Sequence, residues 1–175
     1  MTAQESTDTD QIKITPLSVH TGAELSGVDL CRPLTTAQIS QIRQALLQWR
    51  VIFFRDQELT HAQHVSLAKQ FGKPTPAHVV FGSDSEYPEI YPVVKQRTAQ
   101  AGNVPVRRAW TGWHTDITAA INPPSASILR SVVLPPYGGD TQWINMIKAF
   151  EALSPPMQEF LSSLRAVHQY RRASS

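Results

Sequence analysis

Residues 1–11 offer no apolar periodicity and nothing to pack, which predicts a disordered N-terminal arm. Folded structure is expected from Ile12 onward, over residues 12–175. Between Ile12 and Leu30 short apolar stretches alternate with Gly22 and Gly27, the pattern of short strands joined by tight turns, and an opening hairpin is predicted. Thr35 and Gln38 form a capping box, after which Ile39, Ile42, Ala45, Leu46 and Trp49 recur at helical spacing. One amphipathic helix should therefore end near Arg50. The run Val51-Ile52-Phe53-Phe54 is too short for a helix and rich in β-branched and aromatic residues, so it reads as a buried central strand. A second capping box, Thr60 to Gln63, opens a helix through Val65, Leu67, Ala68 and Phe71 that Gly72 and Pro74 terminate.

From Pro74 to Arg108 prolines and glycines punctuate short apolar pieces such as Glu89 to Val94. A connection of that length in a small domain more often binds or covers something than idles. Ala126 to Leu134 reads as a strand, Pro135-Pro136-Tyr137-Gly138-Gly139-Asp140 as a turn and Thr141 to Ile144 as a second strand, and the two are expected to pair. Ser154 is placed to cap a last helix with Pro155 in its first turn and Met157, Phe160, Leu161 and Leu164 on its apolar face.

Composition narrows the function classes. With 175 residues, 41% of them hydrophobic, the chain suits one domain that buries a core without disulfide or metal staples. Sixteen basic and fourteen acidic residues are scattered, without the cationic stripe that tracks a phosphate backbone, so nucleic acid is not expected as a partner. Cys31 is the only cysteine, which excludes an intramolecular disulfide and any multi-cysteine metal site. No apolar run approaches a membrane span and the first ten residues are polar and acidic, so the expected setting is the cytoplasm, away from membranes.

The sharpest chemical feature is His114-Thr115-Asp116. On extended backbone, residues two apart face the same side, so an imidazole and a carboxylate converge, as a metal ion requires. Two imidazoles and a carboxylate on one face of an octahedron make the site of non-heme iron(II) oxygenases, and His-x-Asp supplies two of the three. Alone the motif is weak, since six histidines and seven aspartates in 175 positions give roughly a quarter of one chance match. His61 and His64, on the polar first turn of the second helix, read as a solvated pair, and His20 has no ligand-type neighbour. Trp49, Trp110, Trp113 and Trp143 read as core or pocket wall rather than a base-stacking platform.

The surrounding string is more specific. Trp113-His114-Thr115-Asp116-Ile117-Thr118, Asn122-Pro123-Pro124, Gly138-Gly139-Asp140-Thr141 and Trp143 follow one another in this order. Upstream stand Ile14-Thr15-Pro16-Leu17, Gly27-Val28-Asp29-Leu30, Arg32-Pro33-Leu34 and Phe54-Arg55-Asp56-Gln57, and downstream Glu151-Ala152-Leu153 and Leu164-Arg165-Ala166. As an ordered set over residues 12 to 170 these resemble the taurine dioxygenase (TauD/TfdA) family of Fe(II)/2-oxoglutarate-dependent dioxygenases.

The resemblance implies that His114 and Asp116 are iron ligands and that Thr141 hydrogen-bonds a carboxylate of 2-oxoglutarate. His78 falls close to the family's substrate-binding histidine if one inserted residue is allowed. Phe81 and Trp110 stand where taurine-specific members carry a tyrosine and an asparagine, which implies a more apolar pocket. The implied reaction consumes O2 and hydroxylates the carbon bearing sulfur in a sulfonate or alkyl sulfate, so that sulfite or sulfate leaves, as in taurine catabolism and sulfur acquisition. The implied fold is mostly β with flanking helices, a double-stranded β-helix or jelly roll, here without its C-terminal strands. Family members form dimers or tetramers, so a homo-oligomer is compatible with the resemblance.

One departure bears on activity. The family places a second histidine ligand, followed by an arginine that pairs with 2-oxoglutarate, far downstream; His168 is the only histidine after His114 and matches an earlier, non-ligand segment. Residues 12–175 thus read as a partial jelly-roll dioxygenase domain, either an oxygenase weakened by truncation or a non-catalytic fragment that binds or oligomerises.

Overall fold

The structure, a computed structural model, describes residues 11–76, 83–93 and 112–169. The elements in chain order are β1 (Lys13–Pro16), β2 (Ala23–Ser26), α1 (Thr36–Trp49), β3 (Ile52–Phe53), α2 (His61–Phe71), α3 (Met146–Glu151) and α4 (Pro155–Ser162). The chain divides into two compact units, Met1–Pro74 with Ser131–Arg165, and Thr75–Arg130 with Ala166–Ser175. Among the described residues no helix is long and apolar enough to cross a membrane.

In the first unit the expected hairpin forms. β1 pairs antiparallel with β2, Ile14 opposite Leu25 and Thr15 opposite Glu24. Their connection closes on Gly22, whose carbonyl accepts from Leu17 N–H at 2.9 Å and whose φ of +86° is one that side chains with a Cβ rarely adopt. β3 then pairs parallel with β2, Ala23 opposite Ile52. β2 is accordingly the central strand, and Val51 to Phe54 form a half-buried edge of two paired residues rather than the buried central strand predicted. The reason is local: β2 is bonded on both sides, and Phe53 turns its ring to Trp143, edge to face with centroids 5.4 Å apart.

Both capping boxes are present. Thr35 accepts from Gln38 N–H while the Gln38 side chain accepts from Thr35 N–H, and Thr60 and Gln63 repeat the arrangement at α2. Each box satisfies two of the amide donors that a helix start leaves unpaired. α1 turns Ile42 and Ala45 inward, and α2 turns in Val65 and Leu67. These helices meet Ala23 and Leu25 of the sheet, Ile12 just before β1, and Leu30, Leu34 and Leu59 from the connections, in one apolar core. In β2 the alternation is visible directly, with Ala23 and Leu25 buried and Glu24 between them only partly so.

Polar ties across this core come from amides. Gln41 Oε1 accepts Ile12 N–H at 3.0 Å, Gln57 Oε1 accepts Leu30 N–H at 2.8 Å, and Gln70 Oε1 accepts Leu34 N–H at 2.8 Å. Gln63 donates to the Cys31 carbonyl at 3.1 Å. The segment from Val28 to Leu34, which has no ladder of its own, is thereby held by three glutamine side chains, as its backbone groups require.

Downstream the structure departs from the sequence pattern. Neither Ala126 to Leu134 nor Thr141 to Ile144 is a strand, and they do not pair. A strand exists through its ladder, and among the described residues these segments have no neighbouring strand to bond. Their apolar residues stay in solvent, Val133 at 88% exposure. Between them the chain bends at residues 136–137, and Gly138 and Gly139 take φ of +72° and +76°. α3, which the pattern did not predict, starts at Asn145, whose side chain accepts from Ile147 and Lys148 N–H. α4 begins at Pro155 as expected, but the Ser154 side chain makes no cap hydrogen bond and the apolar face of Met157, Phe160 and Leu161 is exposed.

Candidate metal centre

His114 and Asp116 lie in the second unit on an irregular run that enters a turn at Asp116, not on a ladder-bonded strand. The side chains nevertheless converge, His114 Nε2 standing 3.2 Å from Asp116 Oδ1. The turn that follows holds Ile117 at φ +50°, a left-handed conformation uncommon for a β-branched residue, and is closed by Ala120 N–H donating to the Ile117 carbonyl at 3.2 Å. On the far side of the imidazole, Nδ1 lies 3.0 Å from the Gly112 carbonyl, and Nε2 faces the carboxylate. On the far side of the carboxylate, Ser127 Oγ donates to Asp116 Oδ2 at 3.0 Å.

This donor set fits a divalent ion. Two atoms bonded side by side to one octahedral ion at about 2.1 Å each stand about 3.0 Å apart, close to the separation of Nε2 and Oδ1. Both side chains are about half exposed, at 54% and 55%. Among the described residues no group of three His, Cys, Asp or Glu side chains gathers that could hold a metal ion.

The remaining site residues distribute as follows. Thr141 lies in the first unit, exposed, directly after the Gly138-Gly139-Asp140 turn whose glycines put no Cβ in the way of an approaching group. His78, Phe81 and Trp110 fall outside the described residues. Trp113, beside His114, is 65% exposed rather than part of a core. His168 is exposed. Sequence reasoning missed Ser127 and the Gly112 carbonyl. A serine eleven residues from its partner carries no spacing signal, and a backbone carbonyl carries none at all.

Residues 13–175 match the family described as taurine catabolism dioxygenase TauD, TfdA family. The chain is 38% identical to an alpha-ketoglutarate-dependent sulfate ester dioxygenase of Pseudomonas putida, over 90% of this chain and 50% of that protein. It is 34% identical to an alkylsulfatase of Acinetobacter baylyi, over 91% of this chain and 48% of that protein. The crystal structure of a taurine dioxygenase from Burkholderia xenovorans superposes with a TM-score of 0.79 at 54% identity, over 91% of this chain and 54% of that one. The chain thus spans about half the length of the relatives it matches.

Proposed function

The chain belongs to the TauD/TfdA family of taurine catabolism dioxygenases, and from that premise we propose that it is the iron- and 2-oxoglutarate-binding part of a dioxygenase that cleaves a sulfonate or alkyl sulfate. The observation that carries the reading is the 3.2 Å approach of His114 Nε2 to Asp116 Oδ1. In this reading His114 and Asp116 hold Fe(II), Thr141 donates its hydroxyl to a 2-oxoglutarate carboxylate, and His78, Phe81 and Trp110 receive the substrate. The fold of the whole protein is the jelly roll of the family.

Bound Fe(II) and 2-oxoglutarate supply the oxidising power, with O2 and 2-oxoglutarate consumed and succinate and CO2 released as one oxygen atom enters the substrate. The residues of this chain orient. The Gly112 carbonyl and the Ser127 hydroxyl fix the two ligand side chains, and the Gly138-Gly139 turn leaves room for the carboxylate that Thr141 meets. Hydroxylation at the carbon bearing the sulfonate or sulfate group gives a product that collapses to an aldehyde and sulfite or sulfate. Phe81 and Trp110 favour an alkyl chain over the small polar taurine, in keeping with the relatives named for sulfate esters and alkyl sulfates.

Residues 1–175 contain no counterpart of the histidine and arginine that the family places downstream, so the activity proposed is that of a dioxygenase with the full ligand set. The direct test is an anaerobic Fe(II) titration with and without 2-oxoglutarate, reading the charge-transfer absorption of the chelated keto acid. A saturable band that Asp116→Ala removes supports the reading, and a band unchanged by that substitution refutes it. Turnover that is equal on taurine and on longer alkyl sulfates refutes the substrate assignment.

A second reading, a binding or oligomerising module, is favoured by one observation: Val132, Val133 and Leu134 lie exposed in a row. Sedimentation of the chain as a concentration-independent monomer would eliminate self-association.

A further inference from the structure

The Ser127 hydroxyl bonds the far oxygen of Asp116, Oδ2, at 3.0 Å, and the Gly112 carbonyl meets the far nitrogen of His114, Nδ1, at 3.0 Å. Each ligand side chain is thus held by the atom pointing away from its neighbour, which leaves Nε2 and Oδ1 facing one another. Of these two ties the backbone carbonyl is available in any sequence, whereas the hydroxyl is a side-chain choice. We propose that Ser127 is a positioning residue for the metal carboxylate, engaging Oδ2 so that Oδ1 alone is presented to a divalent cation. The inference rests on the reading of His114 and Asp116 as a cation site.

The physical need is specific. A half-exposed aspartate at the start of a turn rotates freely about its last torsion, and either oxygen, or both, can meet the ion. Ser127 removes that freedom from across the Asn122-Pro123-Pro124 loop, eleven residues away in sequence, so the tie also closes the loop on the ligand it orients. A hydroxyl donating to an ionised carboxylate is a charge-assisted bond, stronger than a neutral one. Ser127 is itself exposed, so truncating it leaves no cavity, and a threonine there has room for its extra methyl. Loss of an outer partner of this kind typically weakens metal binding about 10- to 100-fold.

The test is a Co(II) titration of the 175-residue chain, followed by the visible d–d absorption of bound cobalt, with His114→Ala as the blank that subtracts binding by other surface histidines. Ser127→Ala should raise the dissociation constant about tenfold and change the band shape at saturation, and Ser127→Thr should restore both. Affinity and band shape unchanged in Ser127→Ala would overturn the inference and leave the cation site standing. Equal losses in the alanine and threonine variants would also overturn it, by assigning the effect to packing. Absorption from the native chain no greater than from His114→Ala would overturn the cation site, and the role of Ser127 with it.

Discussion

The side-chain oxygen of Gln57 accepts the backbone N–H of Leu30 at 2.8 Å, across twenty-seven residues of chain. The same amide donates to the carbonyls of Val28 at 3.3 Å and Arg55 at 3.0 Å, so one side chain joins the stretch after β2 to the stretch after β3. Gln57→Ala removes all three bonds and should destabilise the chain by about 1–3 kcal/mol. Urea unfolding measures this, and a midpoint equal to that of the native chain would show that water replaces the amide without loss.

The two capping boxes should be worth similar amounts. Thr35→Ala and Thr60→Ala each strip a helix start of its side-chain acceptor, and each should cost about 1 kcal/mol. Because they serve different helices, the double variant should lose close to the sum in the same unfolding assay.

Cys31 gives a pH-dependent readout free of interference, being the only cysteine. Its thiol titrates above the ordinary value, first because partial burial disfavours the thiolate, then through a hydrogen bond and the negative charge of Asp29 and the charge of Glu58, with Arg32 opposing. Since the thiolate is the nucleophile, alkylation by iodoacetamide should be slower than for an unstructured cysteine at mildly alkaline pH and rise with a midpoint above the free-thiol value. Asp29→Asn should move that midpoint down. On stability the sign is the same: the folded state keeps its proton longer than the unfolded state, so this contribution is lost as pH rises above the unfolded thiol's value.

Trp143 sets its ring edge to face against Phe53, at 78° between planes, two residues beyond Thr141. Trp143→Ala should cost about 0.5–1.5 kcal/mol beyond the lost apolar area. On the proposed role of Thr141 it should also weaken 2-oxoglutarate binding, because the segment presenting the hydroxyl loses its anchor on the sheet edge. Equilibrium dialysis with labelled 2-oxoglutarate tests the second effect independently of the first.

Local signals explain which features could be read in advance. The hairpin, α1 and α2 announce themselves because turn glycines, capping boxes and helical periodicity all act within a few residues of one another. His114 and Asp116 were legible for the same reason, as two ligand types two positions apart. What depends on distant chain was not. The β character of Ala126 to Leu134 and Thr141 to Ile144 is a propensity that needs a bonded neighbour to be realised, and the sequence of a segment does not state its neighbour. α3 is a six-residue helix, too short for its periodicity to stand out, and only its Asn145 cap marks it. The glutamine ties and the bond from Ser127 to Asp116 join polar residues whose types suit solvent equally well.

The choice of amides to hold the first unit has a further effect. Gln41, Gln57, Gln63 and Gln70 carry no net charge and do not titrate, and among the described residues no polar or charged side chain is buried. Ion pairs such as Arg55 with Glu24 and Arg32 with Asp29 sit at the surface, where rising salt weakens them. Raising the ionic strength therefore dims the surface pairs and leaves the internal stitching intact. In the unit that carries Thr141, the ties that hold the core together are thus the ones a change in ionic strength reaches least.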